Sequence, residues 1–194
     1  MVKIAVVDIE TSGFLAQGGT IVEVGIAGLD LDTGEVTEEF DMIVKEEAFN
    51  EDHTKNPFGW IFQNSDLRYQ DVLDGAPFAD AKAQIQAVFD KFPAGATAFN
   101  KQFDFGFLRD RGLKIKDLSC IMLKATPIVG LPPVGNRKSP KWPKVEEAWE
   151  YFFPDIPYVE KHRALDDAMH EAKIAHAIIK LEKDGKMLNE GVKK

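Results

Sequence analysis

An apolar, largely β-branched run near the start of the chain ends in two carboxylates. Residues 4–7 read Ile-Ala-Val-Val, and Asp8 and Glu10 follow them. A short continuous apolar run of this kind predicts a strand that is covered on both faces. Side chains two residues apart leave a strand on the same face, so Asp8 and Glu10 would lie together at its carboxyl end. In α/β sheets that end is a usual place for ligand sites.

The rest of the chain predicts an α/β fold with a mixed central sheet, antiparallel N-terminal strands and flanking helices. Strands are predicted at residues 20–28, 35–44, 96–99 and 118–123. Helices are predicted at residues 79–92, 103–111, 144–153 and 162–181, with irregular chain at 49–75 and a proline-rich loop at 126–143. This order favours one domain, residues 1–182, followed by a flexible tail, residues 183–194.

Composition excludes some classes of function. The 194 residues carry a formal net charge of −8, which argues against a protein that coats nucleic acid through a basic surface. The single cysteine, Cys120, excludes an intramolecular disulfide and a cysteine-based zinc site. We find no targeting segment and no apolar stretch long enough for a membrane span, and we expect a cytoplasmic protein.

A second acidic position follows the strand predicted at residues 96–99. Asn100 is a plausible N-cap for the next helix, and Asp104 falls in its first turn, where the helix dipole favours an acidic residue. Phe103 and Phe107 are four apart and share a helix face. They either pack in the core or form a surface on which terminal bases stack.

A third acidic position lies at the start of the last helix, after His162. An apolar stripe on this helix is formed by residues 164, 165, 168, 172, 175 and 179. At about 100° per residue, Asp166 lies opposite the stripe and faces solvent beside Lys173 and Lys180. Asp167 lies at the edge of the stripe and can face a cleft.

These positions together predict a metal centre. Asp8, Glu10, Asp104 and Asp167 would repel one another if they converged without cations. Two divalent cations, Mg²⁺ or Mn²⁺, would relieve the repulsion and could hold a phosphodiester. A neutral His162 nearby could accept a proton from water.

At these residues the chain resembles the DEDDh 3′→5′ exonucleases of the ribonuclease H-like superfamily. The first motif resembles Val7-Asp8-Ile9-Glu10-Thr11-Ser12-Gly13, and residues 20–25 resemble the strand that usually follows. The second resembles residues 100–104, and the third resembles residues 162–168. The resemblance spans roughly residues 1–181. In the family the third aspartate is the fifth residue after the histidine, which is Asp167 here.

The resemblance implies a role for each site residue. Asp8, Glu10 and Asp167 would bind the metal that activates water, with Asp8 bridging to a second metal held with Asp104, and His162 would be the general base. Residues 10–12, including Thr11 and Ser12, would approach the terminal nucleotide. Asn100, Phe103 and Phe107 would help to position the 3′ end.

The implied reaction is hydrolysis of terminal phosphodiesters at single-stranded 3′ ends of DNA or RNA, releasing nucleoside monophosphates. The sequence leaves open DNA or RNA, a homodimer, and a polymerase partner. The alternatives are a non-catalytic nucleic-acid-binding module of the same fold, a protein-interaction domain, and a two-metal phosphoesterase acting on small nucleotides.

Two features depart from the family pattern. Phe99 precedes Asn100 where many members have histidine or another small or polar residue. The loop at 126–143 is long, and its basic and aromatic residues either contact a phosphate backbone or are simply solvated. They are Arg137, Lys138, Lys141, Trp142 and the adjacent Lys144.

Overall fold

The computed structural model describes residues 2–136 and 138–185. Within them the strands are β1 (Lys3–Thr11), β2 (Ile21–Asp30), β3 (Val36–Lys45), β4 (Ala76–Pro77) and β5 (Ala96–Thr97). The α-helices are α1 (Ile61–Asn64), α2 (Tyr69–Leu73), α3 (Phe78–Asp90), α4 (Lys101–Asp110), α5 (Ile121–Val129), α6 (Val145–Phe152) and α7 (Ala164–Lys183). Short 3-10 helices span Leu15–Gln17 and Glu51–Thr54.

The sheet has the strand order β4-β3-β2-β1-β5. β1, β2 and β3 form an antiparallel meander, as the turn signals of the sequence predict. β5 runs parallel to β1 on one side, and β4 runs parallel to β3 on the other. The predicted fold class, a mixed sheet with antiparallel N-terminal strands and flanking helices, is therefore confirmed.

β1 divides its side chains between two hydrophobic cores. Residues 5, 7 and 9 pack with α3 and α4, whereas Ile4 and Val6 pack with α5, α6 and α7. Asp8 and Glu10 continue the even-numbered series, so they face the side of the sheet on which α7 lies. The alternation of one strand thus directs both carboxylates towards the last helix.

The segment between β3 and β4 is more ordered than the irregular chain predicted for residues 49–75. It contains α1, α2 and a 3-10 helix. Phe49, Ile61, Leu67 and Val72 pack as a third hydrophobic cluster on Val22 of β2. This cluster fixes the segment against β2.

The prediction of a strand at residues 118–123 is wrong. The sheet continues there only as a single bridge between Asp117 and Ala96, and residues 121–129 form α5. Ile121 and Ala125 are four apart and both buried, which is the spacing of a helix face. A short apolar run does not distinguish a buried strand from a buried helix, and the run here belonged to a helix.

Two other predicted boundaries move. The proline-rich loop begins at Gly130 rather than residue 126, because α5 continues to Val129 and ends at the left-handed Gly130. α7 begins at Ala164 and ends at Lys183, the first residue of the predicted tail. Arg137 of the loop and residues 186–194 of the tail lie outside the described residues. Among the residues described, no helix combines the length and the apolar composition needed to cross a bilayer.

Gly25 lets α7 approach the sheet closely. It pairs with Asp8 across the β1–β2 ladder. A Cβ atom at Gly25 would lie 2.1 Å from the backbone nitrogen of Leu165 and 2.2 Å from the carbonyl carbon of Ala164. The first turn of α7, which carries Asp167, therefore rests on the β2 backbone directly beside Asp8.

We expect Gly25→Ala to lower the free energy of unfolding by about 3 kcal/mol, because the methyl group has no room and α7 must move away from the sheet. Gly106→Ala in α4 is the matched control, since its Cβ would meet nothing within 4 Å and should stabilise the helix by about 0.5–1 kcal/mol. Urea denaturation of both variants measures the difference. Wild-type stability in Gly25→Ala would contradict this account of the helix–sheet contact.

Candidate active site

An open cleft of about 740 Å³ lies at the carboxyl end of β1. Its walls include Asp8 and Glu10 from β1, Asp104 from α4, and His162 from the loop before α7. These residues are far apart in the sequence and belong to the three motifs on which the resemblance rests. The structure therefore brings four of the five predicted core residues to one cleft.

Asp167, the fifth predicted core residue, joins Glu10 and His162 in a compact group. One ligand atom from each of the three residues lies within 4.8 Å of the others. Atoms at this spacing can surround a single cation. Among the residues that the structure describes, this is the group of three whose ligand atoms are close enough to share a cation. The resemblance implied Asp8 as the third ligand beside Glu10 and Asp167, whereas this group contains His162.

Asp167 is held by two hydrogen bonds and is 1% exposed. The hydroxyl of Tyr158 donates to its Oδ1 at 2.7 Å, and the backbone N–H of Arg163 donates to its Oδ2 at 3.0 Å. Asp166 lies on another face of the helix, where Lys161 Nζ donates to its Oδ1 at 2.9 Å. The structure thus places Asp167, and not Asp166, beside Glu10.

The surroundings of Asp166 differ from those predicted. It is half-buried, and it pairs with Lys161 rather than lying free beside Lys173 and Lys180. Lys161 precedes the helix, so a helical wheel could not include it.

Asp104 connects α4 to β1. It is 3% exposed, and its Oδ1 accepts a hydrogen bond of 3.3 Å from the backbone N–H of Ile9, between the two carboxylates of β1. Asn100 occupies the N-cap position of α4 as predicted, but its side chain makes no capping hydrogen bond. Asn100 is exposed and lines the cleft.

The predicted substrate-binding residues separate into two groups. Thr11, Ser12, Asn100 and Phe103 line the cleft. Phe107 does not: it is 1% exposed and packs in the core beneath Phe103, with ring centroids 5.2 Å apart. The prediction for Phe107 is corrected accordingly, because the helix face that it shares with Phe103 turns into the core one turn further along.

Ser12 has a structural role in the turn after β1. It is 1% exposed, its hydroxyl accepts a hydrogen bond from the backbone N–H of Thr20, and its Oγ lies 3.0 Å from Thr20 Oγ1. The Thr11 hydroxyl donates to the carbonyl of Gly13 at 3.0 Å. These bonds hold the backbone that borders the cleft.

Burial and mutual repulsion raise the pKa values of the carboxyl groups. Burial, and then the charge of Glu171, raises the pKa of Asp8 well above its ordinary value. Burial, and then the charge of Asp167, raises the pKa of Glu10 in the same way. Burial raises the pKa of Asp104 to about 8 and also raises the pKa of Asp167. A set of buried oxygen donors with this excess of negative charge fits hard divalent cations such as Mg²⁺ or Mn²⁺.

His162 has an unusual backbone conformation. Its φ of 53° lies in the left-handed region, which costs a residue other than glycine about 1–2 kcal/mol. The edge of the Trp60 ring system packs against the imidazole, with centroids 4.7 Å apart, and Glu160 Oε1 lies 3.9 Å from its Nδ1. Trp60 and Glu160 therefore border the imidazole from two sides.

Sequence reasoning missed several residues of the site. Glu171 lies one turn after Asp167 on α7, so the four-residue spacing could have revealed it. Glu160, Trp60 and Phe14 lie in irregular chain, and no periodicity marks them. Burial, followed by the charge of Asp167, raises the pKa of Glu160 to about 7.

An ion pair anchors the start of α7 to the sheet. Glu23 of β2 stands opposite Glu10 in the β1–β2 register and is 1% exposed. Arg163 Nη2 donates to Glu23 Oε1 at 2.7 Å, and the backbone N–H of Ala164 donates to Glu23 Oε2 at 3.1 Å. Arg163 thus neutralises the buried Glu23 carboxylate. Because this contact anchors the start of α7, it also positions Asp167, which lies four residues further along the chain.

Comparisons with known proteins give matches to solved structures alone. No protein-family model matches the chain, and no curated protein matches its sequence. The nuclease domain of 3'hExo, a DEDDh family member, bound to rAMP, matches with a TM-score of 0.64 and 16% identity, covering 94% of this chain and 92% of that one. Cell-death related nuclease 4 matches with a TM-score of 0.62 and 14% identity, covering 92% and 64%.

E. coli Exonuclease I in complex with a dT13 oligonucleotide also matches, with a TM-score of 0.65 and 14% identity, covering 97% of this chain and 43% of that one. The chain spans less than two thirds of the length of this structure and of the cell-death related nuclease. At such low identity the matches establish the fold. The chain therefore shares the fold of these nuclease structures.

We expect the metal-free protein to lose stability as the pH rises from about 5 to about 8. The carboxyl groups have raised pKa values when folded, so the folded protein holds protons that the unfolded chain has already released. This contribution to the free energy of unfolding is fully present at acidic pH. It is lost as the pH rises through the pKa values that the carboxyl groups have in the folded protein. The slope is about 1.4 kcal/mol per pH unit for each proton held only by the folded state.

Urea denaturation at several pH values, in EDTA and in Mn²⁺, tests this expectation. The slope should be smaller in Asp104→Asn, which lacks the group whose pKa is raised to about 8. Mn²⁺ should reduce the slope, because bound cations stabilise the ionised carboxylates. A stability in EDTA that does not change over this range would contradict the raised pKa values.

Proposed function

We propose that this protein is a metal-dependent 3′→5′ exonuclease that hydrolyses terminal phosphodiesters of DNA or RNA and releases nucleoside monophosphates. The observation that carries the proposal is the convergence of Asp8, Glu10, Asp104 and His162 at one open cleft, with Asp167 grouped beside Glu10 and His162. The shared fold with 3′-exonuclease domains supports it independently. The buried single cysteine, Cys120, is compatible with a reducing cytoplasm, which we propose as the location.

Two divalent cations, Mg²⁺ or Mn²⁺, would activate water and stabilise the leaving 3′ oxygen when bound. Asp8, Glu10 and Asp167 would hold one of them, and Asp8 with Asp104 would hold the other. Tyr158 and the backbone of Arg163 keep the Asp167 carboxylate in place for this task. The Ile9 N–H does the same for Asp104.

His162 would accept the proton of the attacking water at Nε2. Its Nδ1 lies on the side of Glu160, which leaves Nε2 for the water. The left-handed backbone and the contact with Trp60 hold the ring at the edge of the cleft. A strained backbone at such a residue is typical of catalytic sites.

The substrate would be the 3′ end of a single strand. Phe14, Phe103 and Trp60 line the cleft, and Phe14 and Phe103 meet edge to face at 6.3 Å. Exposed rings of this kind stack on bases without sequence preference. Because the matched structures hold rAMP in one case and dT13 in another, we propose RNA and DNA as the two substrates to compare.

The test uses 5′-labelled single-stranded DNA and RNA of one sequence, incubated with Mn²⁺, Mg²⁺ or EDTA and resolved on a gel. We expect a metal-dependent ladder that shortens from the 3′ end, and the faster polymer identifies the substrate class. Asp167→Asn should abolish the ladder, because it removes a buried ligand charge. Asp166→Asn, one residue away and paired with Lys161, should retain it.

Two outcomes would contradict the proposal. Intact substrates with folded, metal-supplied protein would favour the non-catalytic binding module. Cleavage of dinucleotides but not of longer strands would favour the phosphoesterase.

We expect His162→Ala to slow turnover about 100-fold or more at neutral pH while the stabilisation by Mn²⁺ persists, because the variant loses the proton acceptor and keeps the carboxylates. Single-turnover rates and thermal melts with and without Mn²⁺ measure the two effects separately. Unchanged turnover would exclude the general-base role. Loss of the Mn²⁺ stabilisation would instead make His162 a metal ligand, as its position beside Glu10 and Asp167 also allows.

A further inference from the structure

Glu171 is a buried carboxylate in the cleft to which the proposed reaction gives no task. It lies on α7 one turn after Asp167, is 2% exposed, and lines the cleft with Asp8 and Asp104. Its Oε2 accepts a hydrogen bond of 3.1 Å from the backbone N–H of Phe99, which follows β5. Within the part of the chain that the structure describes, its Oε1 has no hydrogen-bond partner.

Among the residues that the structure describes, no cationic side chain neutralises the charge of Glu171. The nearby charges that raise its pKa, after burial itself, belong to Asp104, Asp167 and Glu160. In turn, Glu171 is the charged neighbour that most raises the pKa of Asp8. No ion pair to Glu171 occurs among the described residues.

Glu23 provides the comparison within the same protein. It is equally buried, and a guanidinium nitrogen of Arg163 lies 2.7 Å from its carboxylate. A buried carboxylate is normally paired with a cation, because leaving it unpaired carries a large desolvation cost. Glu23 obtains its cation from the protein, whereas Glu171 has none from the described residues and faces a cleft that fits divalent ions.

We propose that Glu171 is a fifth carboxylate of the metal centre, whose Oε1 helps to bind a cation in the cleft that it lines with Asp8 and Asp104. The inference rests on the proposed metal-dependent function and extends its ligand set. The hydrogen bond from Phe99 fixes Oε2 and leaves Oε1 for the cation. The four-residue spacing then lets two successive turns of α7 serve the centre, Asp167 on the side of Glu10 and Glu171 on the side of Asp104.

Two variants separate this role from a purely structural one. Glu171→Gln keeps an oxygen that can accept the Phe99 hydrogen bond but removes the charge. Glu171→Asp keeps the charge, but its shorter side chain reaches Phe99 less well. If Glu171 is a metal ligand, Glu171→Asp should bind Mn²⁺ more tightly than Glu171→Gln does. If Glu171 is only a structural acceptor, Glu171→Gln should have the Mn²⁺ affinity that is closer to that of wild type.

The experiment is calorimetric titration of the full chain with Mn²⁺ in the absence of substrate, together with thermal melts in EDTA. We expect Glu171→Gln to bind Mn²⁺ about ten-fold more weakly or worse, and to melt at a higher temperature than wild type without metal, because one repelling charge is gone. Glu182→Gln is the matched control on the same helix. Glu182 pairs with Lys124 away from the cleft and should leave the Mn²⁺ affinity unchanged.

The outcomes distinguish this inference from the proposed function. If wild type binds Mn²⁺ and degrades 3′ ends while Glu171→Gln binds Mn²⁺ with the same affinity, Glu171 is not a ligand and only this inference fails. A metal-free melting temperature of Glu171→Gln that does not exceed that of wild type, with tighter Mn²⁺ binding than in Glu171→Asp, would also overturn it in favour of the structural role. If wild type itself binds no Mn²⁺, the metal-dependent function fails as well.

Discussion

Repulsion between buried carboxylates is the constraint around which this structure is built. Asp104, Asp167 and Glu171 are each at most 3% exposed, and Asp8 and Glu10 face the same cleft. Hydrophobic packing of the sheet and helices must offset the desolvation of these groups until a cation or a proton neutralises them. The protein therefore combines a large apolar core with a site that is unfavourable when empty and charged, and binding of the proposed cations would recover part of that free energy.

The neighbouring elements hold the repelling groups together by contacts that oppose their repulsion. Gly25 lets α7 touch β2, Arg163 ties the start of α7 to Glu23, and Tyr158 and Ile9 donate hydrogen bonds to Asp167 and Asp104. Each contact fixes a carboxylate before any ligand arrives. Such preorganisation is useful to a catalyst, because the binding free energy of cations and substrate is not consumed in assembling the site.

The parts predicted from the sequence are those governed by strict periodicity. Alternation along β1 paired Asp8 with Glu10, and the helical wheel distinguished Asp167 from Asp166. The same rules failed at residues 118–123, where the local pattern is ambiguous and the chain forms coil and helix. For Phe107 the shared face with Phe103 was correct, but tertiary contacts decided that it packs in the core rather than at the cleft. Trp60 and Glu160 reach His162 from irregular segments whose paths depend on long-range packing, so no local signal could place them. Glu171 was within reach of the four-residue rule, but an acidic residue on a helix is ordinarily solvated.

The acidic balance of the chain bears on how it would hold an anionic polymer. With a formal net charge of −8, the protein as a whole repels phosphate. Lys141 of the loop after α5 pairs with Glu147, and Lys144, which follows the loop, lines the cleft. In the proposed function, attraction would come from within the cleft, through divalent cations acting on the terminal phosphates and aromatic rings acting on the terminal bases. Both act on a few nucleotides at a strand end rather than along a duplex, so the electrostatics of the chain favour an enzyme that works from ends.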